Sequence, residues 1–153
     1  AITHAHIKSI ISCCIYVEIL INLLKGKKKE EAYKDMKKVI LNYFKKEKQE
    51  LEFFNHILND DIASFPKNEI YSSGYVLDTM EASLWCFLNN ISYKETVLTA
   101  VNLGGDTDTT GAVAGGLAGI YYGFEKIPKE WVEVIARKED IVELADKLNN
   151  SLK

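Results

Sequence analysis

Oxygen-bearing side chains and glycines are concentrated between Asn102 and Gly119, in the sequence NLGGDTDTTGAVAGGLAG. Gly104 and Gly105 allow the backbone to turn sharply and to approach a ligand closely. Three potential oxygen ligands follow within one helical turn: Asp106, Asp108 and Thr109. Hard oxygen ligands of this kind favour Mg²⁺, Ca²⁺ or Mn²⁺ over zinc. The segment therefore predicts a cation site at the start of a helix.

A plainer interpretation is that Asp106 and Thr107 cap this helix while the glycines form a turn. Two features argue for more than a cap. Carboxylates two residues apart repel each other unless a cation or hydrogen bonds compensate. The backbone N–H groups at a helix start also attract phosphate. We therefore expect this helix start to offer carboxylates to a metal ion and N–H groups to a phosphate.

The composition bounds the class of protein. The 153 residues, 47% of them hydrophobic, are enough for a single domain with its own core. A formal net charge of -3 gives no general attraction to nucleic acid, so small molecules or proteins are the expected partners. The cysteines Cys13, Cys14 and Cys86 form no CxxC motif. Their odd number favours a reducing, cytoplasmic location, with all three in the core.

The most apolar segment runs from Ile7 to Leu24, but Lys8, Glu18 and Asn22 interrupt it. A membrane span needs about 20 predominantly apolar residues. We therefore predict a buried helix rather than a membrane-spanning one, and no membrane partner.

Apolar residues spaced three and four apart predict an all-α domain. We expect the first helix to run from about Thr3, as its cap, to about Leu24, with Gly26 ending it. Ser92 is expected to cap a later helix, and Pro128 to open another. Further apolar stripes are Tyr33, Met36, Ile40, Tyr43 and Phe44; Leu51, Phe53, Phe54, Ile57 and Leu58; Val76, Met80, Leu84, Phe87 and Leu88; and Ile141, Leu144, Ala145 and Leu148.

Three segments have a distinct composition. Acidic residues are interleaved with the lysines of 25–49, which indicates a solvated helix face rather than a nucleic-acid site. Residues 59–74 predict a long loop, of a kind that often carries function. Segment 111–123 consists mainly of Ala, Gly and aliphatic residues. Because glycine lowers helix propensity, tertiary packing must stabilise this helix.

The segment GGDTDTTGAVAGGLAG, at 104–119, resembles the C-terminal signature of the ADP-ribosylglycohydrolase family. Three other stretches resemble the same family in the same order: ITHAH at 2–6, SSGYVLDTMEASLWCF at 72–87 and IPKEW at 127–131. The resemblance implies a compact orthogonal bundle of helices, similar to the C-terminal half of the family fold. It also implies a dinuclear Mg²⁺ or Mn²⁺ centre that hydrolyses the bond between ADP-ribose and a protein or small-molecule acceptor.

The resemblance further implies roles for single residues. Asp106, Asp108 and Thr109 match the family's C-terminal metal ligands, and no other residue is assigned a catalytic role. The expected substrate-binding residues are His4, Ser73, Gly74, Tyr75, Gly104 and Gly105. His4 would lie near the ribose or phosphate, unless it is an ordinary histidine in a first helical turn. Tyr75 would stack on adenine, unless it is a core aromatic.

Nothing in this sequence resembles the family's other metal ligands. They are a Thr-Asp-Asp motif and an acidic residue after an early glycine-rich segment. Three ligands on one turn hold at most one hydrated Mg²⁺. Our hypothesis is a C-terminal portion of an ADP-ribosylglycohydrolase, which acts with a separate N-terminal half or a homodimer partner on an ADP-ribosylated protein. The alternatives are a non-catalytic binder of ADP-ribose or a nucleotide, and a structural relative; arginine, serine and O-linked acceptors all stay open.

Overall fold

The computed structural model describes residues 3–152, which form α-helices and three short 3-10 turns but no strand. The prediction of an all-α fold is confirmed. The helices are α1 (Ile7–Leu24), α2 (Lys29–Tyr43), α3 (Lys48–Glu52), α4 (Asn55–Leu58), α5 (Val76–Asn89), α6 (Tyr93–Val101), α7 (Thr107–Tyr122), α8 (Lys129–Glu133) and α9 (Lys138–Ser151).

One apolar core connects the longer helices. Helix α7 packs against α1, α5 and α6, and α1 also packs against α2 and α5. The short helices α3 and α4 close one side of the core through Leu51, Phe54, Ile57 and Leu58. The core therefore holds α1, α5 and α7 in fixed relative positions, and the candidate site is built on these three helices.

The glycine-rich helix α7 is packed as closely as its composition predicts. A Cβ atom at Gly116 would lie 2.3 Å from the Tyr16 hydroxyl oxygen of α1. The same hydroxyl donates to the carbonyl oxygen of Val113 at 3.2 Å. A Cβ atom at Gly111 would lie 3.2 Å from Val101 Cγ1 of α6. Packing on both sides thus compensates for the weak helix propensity of glycine.

A buried lysine joins α2 to the end of α5. Lys29 is 8% exposed, and its Nζ donates to the carbonyl oxygens of Phe87, Leu88 and Asn90 at 3.2, 2.7 and 2.6 Å. The last carbonyl groups of a helix have no partner within the helix, so the ammonium group satisfies them. Burial lowers the pKa of Lys29.

The start of α1 differs from the prediction. The helix begins at Ile7, not near Thr3, and His6 is the cap because its Nδ1 accepts the Lys8 N–H at 3.2 Å. A ring nitrogen thus takes the place of the expected hydroxyl. The predicted end is confirmed: α1 ends at Leu24, and Gly26 follows with φ of +80°.

Helix α1 is less buried than predicted. By length and composition alone it would be able to cross a membrane, yet it packs against α2, α5 and α7 and buries 33% of its residues. Cys13 is exposed and Cys14 is half-buried, so of the three cysteines predicted to be core residues only Cys86 is buried. Tyr43, a member of the apolar stripe of α2, is exposed, because α2 ends at this residue.

Helix α9 forms where the periodicity predicts it but contributes no buried residue. Its apolar residues Ile141, Leu144 and Leu148 are 58%, 69% and 61% exposed. The periodicity therefore predicts the helix correctly, but the apolar face that it defines is not buried within the described residues.

Candidate functional site

The loop 72–75 and the start of α7 are joined backbone to backbone. The Asp106 N–H donates to the Ser72 carbonyl oxygen at 3.1 Å, and the Ser72 hydroxyl donates to the Asp106 carbonyl oxygen at 3.2 Å. Ser72 Oγ also lies 2.7 Å from Thr110 Oγ1. Gly105 has φ of +70°, and a Cβ atom there would lie 1.8 Å from the Ser72 carbonyl oxygen. Glycine is therefore required at position 105 for this contact.

The loop itself is ordered by side chains at the start of α5. The Ser73 hydroxyl donates to Asp78 Oδ2 at 2.5 Å and accepts the Tyr75 N–H at 3.1 Å. The Thr79 hydroxyl donates to the Ser73 carbonyl oxygen at 2.8 Å. A Cβ atom at Gly74 would lie 3.2 Å from Asp106 Oδ2. Ser73 thus orders the loop, and Gly74 leaves room for the Asp106 carboxylate.

The three predicted metal ligands lie at the start of α7. Asp106 occupies the cap position, but its side chain accepts no capping N–H bond, so the carboxylate does not serve as a helix cap. A side-chain hydrogen bond with Asp106 lowers the pKa of Asp108, and the backbone N–H groups of Thr109 and Asp108 add to this effect. Two carboxylates this close in the sequence repel each other unless hydrogen bonds or a cation compensate. The plain capping interpretation of Asp106 therefore fails.

The donor set matches a hard cation in type. Two carboxylates and the exposed Thr109 hydroxyl are oxygen ligands of the kind that Mg²⁺ and Mn²⁺ take. Within residues 3–152, however, no three His, Cys, Asp or Glu side chains converge on one point. The turn therefore offers part of a coordination sphere.

A cleft of about 840 Å³ opens between the residues that precede α1 and the loop 73–75. Its volume is in the range of small-molecule sites. Its polar lining consists of Thr3, His4, His6, Lys8, Ser9 and Tyr75. Tyr75 is 48% exposed, and its hydroxyl accepts from Lys8 Nζ at 3.3 Å. Tyr75 is therefore a wall of the cleft and not a core aromatic.

A second groove, of about 540 Å³, runs between α1, α5 and α7. Gly74 and Val76 line both cavities, and Thr109 lines the second. The two cavities thus adjoin at Gly74, next to the Asp106 carboxylate. The lining of the second groove is mostly apolar, with Tyr16, Met80 and Val113 among its residues.

Two of the predicted substrate-binding residues, His4 and Gly104, lie in different surroundings. His4 lines the cleft, as its predicted role requires. Gly104 has φ of +86° and no atom within 4 Å of an added Cβ, so its positive φ serves the turn. Contacts of these residues with a substrate stay predictions.

Sequence reasoning assigned no role to Ser72 and Lys8, and it gave His6 a weaker case than His4. Ser72 stands directly before the predicted Ser73–Tyr75 group, and its hydroxyl and carbonyl oxygen make the junction with α7. His6 and Lys8 follow His4 at alternate positions, a pattern visible in the sequence. His6 and Lys8 both line the cleft because α1 begins at Ile7, later than predicted.

Fold and site together define an all-α protein in which a turn rich in carboxylate and hydroxyl groups lies beside a cleft of about 840 Å³. The family model described as ADP-ribosylglycohydrolase matches residues 1–153, and the chain belongs to this family.

Curated relatives match parts of the chain. ADP-ribosylarginine hydrolase Tri1 of Serratia proteamaculans is 43% identical over 82 residues, which are 54% of this chain and 22% of the relative. ADP-ribosyl-[dinitrogen reductase] glycohydrolase of Rhodospirillum rubrum is 43% identical over 67 residues, 44% of this chain and 23% of the relative. ADP-ribosylhydrolase ARH3 of Homo sapiens is 30% identical over 104 residues, 58% of this chain and 29% of the relative. The matched stretches thus span less than a third of each relative.

Proposed function

We propose that this chain binds ADP-ribose in the 840 Å³ cleft and supplies part of a metal centre that hydrolyses the bond between ADP-ribose and a protein acceptor. The observation that carries the proposal is the position of Gly74. This residue lines the cleft, and a Cβ atom added to it would lie 3.2 Å from Asp106 Oδ2, so the acidic turn adjoins the cleft at Gly74. The printed names of the relatives, all of them ADP-ribosyl hydrolases, support the same substrate class.

The metal ligands in this proposal are Asp106, Asp108 and Thr109, with Mg²⁺ or Mn²⁺ as the cation. The chemistry that a bound divalent cation supplies at such a site is orientation of hydroxyl ligands and activation of water. Because these three side chains fill only part of a six-coordinate sphere, the proposal includes further ligands from water or from another polypeptide segment.

The chain's own residues have two further tasks in the reaction. His4 and Tyr75 line the cleft and would orient the ADP-ribosyl group. Hydrolysis breaks the bond between the anomeric carbon and the acceptor, through an oxocarbenium-like transition state, while water supplies the new oxygen. In this proposal, a carboxylate of the acidic turn, Asp106 or Asp108, accepts the proton that the water releases.

Calorimetry with Mg²⁺ and with ADP-ribose tests the binding part of the proposal. We expect Asp106→Asn and Asp108→Asn to weaken Mg²⁺ binding at least tenfold, because each removes a charged ligand. Asp140→Asn on α9 is the matched control, since its carboxylate pairs only with Arg137 among the described residues. Unchanged Mg²⁺ affinity in both ligand variants would contradict the proposed metal site.

Hydrolysis is tested with an ADP-ribosylated protein, Mg²⁺ and a polypeptide that carries the rest of the family fold, added in trans. ADP-ribosylarginine is the first substrate to try, since the Tri1 relative is named for it. We expect release of ADP-ribose that depends on Asp106. Binding of both chains and of ADP-ribose without any release would rule out the hydrolase.

ADP-ribose binding without hydrolysis is the second candidate function. It is favoured by the lack, among residues 3–152, of three converging His, Cys, Asp or Glu side chains. In that case ADP-ribose affinity would be the same with Mg²⁺ and with a chelator, and Asp106→Asn would leave it unchanged.

A further inference from the structure

The positive and negative side chains around the site lie at two different ends. The lining of the 840 Å³ cleft contains one lysine and two histidines but no Asp or Glu. The carboxylates Asp106 and Asp108 lie beyond Gly74, at the start of α7. A ligand that spans both ends therefore meets positive charge in the cleft and negative charge at the acidic turn.

Lys8 is the cation of the cleft, and aromatic groups hold it. Its Nζ lies 3.1 Å from the centroid of the Phe53 ring and donates to the Tyr75 hydroxyl at 3.3 Å. Among the ion pairs of residues 3–152, none involves Lys8. An aromatic ring attracts an ammonium group without neutralising it, whereas a carboxylate would cancel its charge. The charge of Lys8 is thus positioned and still available to an anion.

The same contacts fix how Lys8 and Tyr75 meet a ligand. The Tyr75 hydroxyl accepts the lysine hydrogen bond, so its own hydrogen is free to donate. The Lys8 backbone N–H is bound to His6 Nδ1, which fixes the first turn of α1 on the cleft wall. The ammonium group and the phenol therefore form a pair of donors at one end of the cleft.

We infer that Lys8 binds the diphosphate of ADP-ribose, with the Tyr75 hydroxyl as a second donor. This inference rests on the proposed function, and it adds a residue that sets both the affinity and the charge preference of the cleft. The diphosphate is the only part of ADP-ribose that is anionic at neutral pH, and a lysine binds phosphate as a point charge. The neutral ribose would then extend toward the acidic turn.

The test compares ADP-ribose binding by the full chain with Lys8→Met, Lys8→Arg and Lys37→Met, each measured by calorimetry at two salt concentrations. Lys37 is the matched control, because its Nζ also lies over a ring, 4.5 Å from the centroid of Tyr33, but outside the cleft. Thermal melting establishes that each variant is folded. We expect Lys8→Met to weaken binding roughly tenfold or more, as for a hydrogen bond to a charged group.

We expect Lys8→Arg to retain most of the affinity, Lys37→Met to bind like the parent chain, and Lys8→Met to show a smaller loss of affinity with added salt. Equal affinity of Lys8→Met and the parent chain would overturn the inference while leaving the proposed function intact. Equal weakening by Lys8→Arg and Lys8→Met would also overturn it, because charge would then not matter. Failure of the parent chain to bind ADP-ribose would contradict the proposed function as well.

Discussion

The junction between loop 72–75 and α7 is built differently from the terminal helix α9. At the junction, two backbone segments touch so closely that a single methyl group at position 105 would collide with the Ser72 carbonyl oxygen. Helix α9 has a clear apolar stripe, yet none of its side chains is buried. A regular pattern is therefore enough to form a helix, whereas long-range contacts decide whether that helix becomes part of the structured body.

The largest effect is expected for Gly105→Ala. The new methyl group would lie 1.8 Å from the Ser72 carbonyl oxygen at φ of +70°, so the loop must separate from α7. We expect a loss of about 3 kcal/mol or more in the free energy of unfolding, measured with urea. Gly104→Ala is the control, with φ of +86° but no atom within 4 Å, and should cost about 1 kcal/mol. Equal losses of stability in the two variants would contradict the close contact between Gly105 and the Ser72 carbonyl oxygen.

Lys29→Met should have the next largest effect. Methionine fills similar space but leaves the carbonyl oxygens of Phe87, Leu88 and Asn90 without the ammonium donor. We expect the free energy of unfolding to fall by about 2 kcal/mol. Lys147→Met on α9 removes only an exposed pair with Glu143 and should change it by less than about 0.5 kcal/mol. A comparable loss in both variants would contradict the expectation that buried Lys29 contributes more to stability than the exposed pair on α9.

The pH dependence of stability provides a smaller test. Hydrogen bonds from Lys27 and Lys38 lower the pKa of Asp35 to about 2 from its ordinary 3.8. A carboxyl group with a lowered pKa in the folded state stabilises the fold above its ordinary pKa, and this contribution is lost as pH falls through the folded value. Asp35→Asn should therefore be less stable than the parent chain above pH 4, and thermal melting should show the gap closing toward pH 2. A gap that stays constant over this range would argue against the two ion pairs.

The smallest effect is expected on α9. Replacing Leu144 and Leu148 together with serine removes two leucines that are exposed already. We expect the free energy of unfolding to change by less than about 0.5 kcal/mol. A loss near that of a buried leucine, about 2 kcal/mol or more for each residue, would place this face against the body.

Much of the fold and part of the site were predictable from local patterns. The spacing of apolar residues predicts α1, α2, α5 and α9, and Ser92 caps α6 as expected, accepting the Glu95 N–H at 3.1 Å. The acidic turn of α7 was also predictable, because carboxylates and glycines were adjacent in the chain. The role of Lys8 was not predictable, because it depends on contacts with Phe53 and Tyr75, which lie 45 and 67 positions away along the chain.

By itself, the sequence determined which segments are helical and which residues carry chemistry, because helix formation and ligand chemistry depend on neighbours in the chain. Its motifs also pointed to the family to which the chain belongs. Only the tertiary structure decided that Gly105 meets Ser72, that Gly74 adjoins Asp106, and that α9 remains exposed. These outcomes depend on the distances between segments that are far apart in the chain, and such distances are set by how the whole core packs.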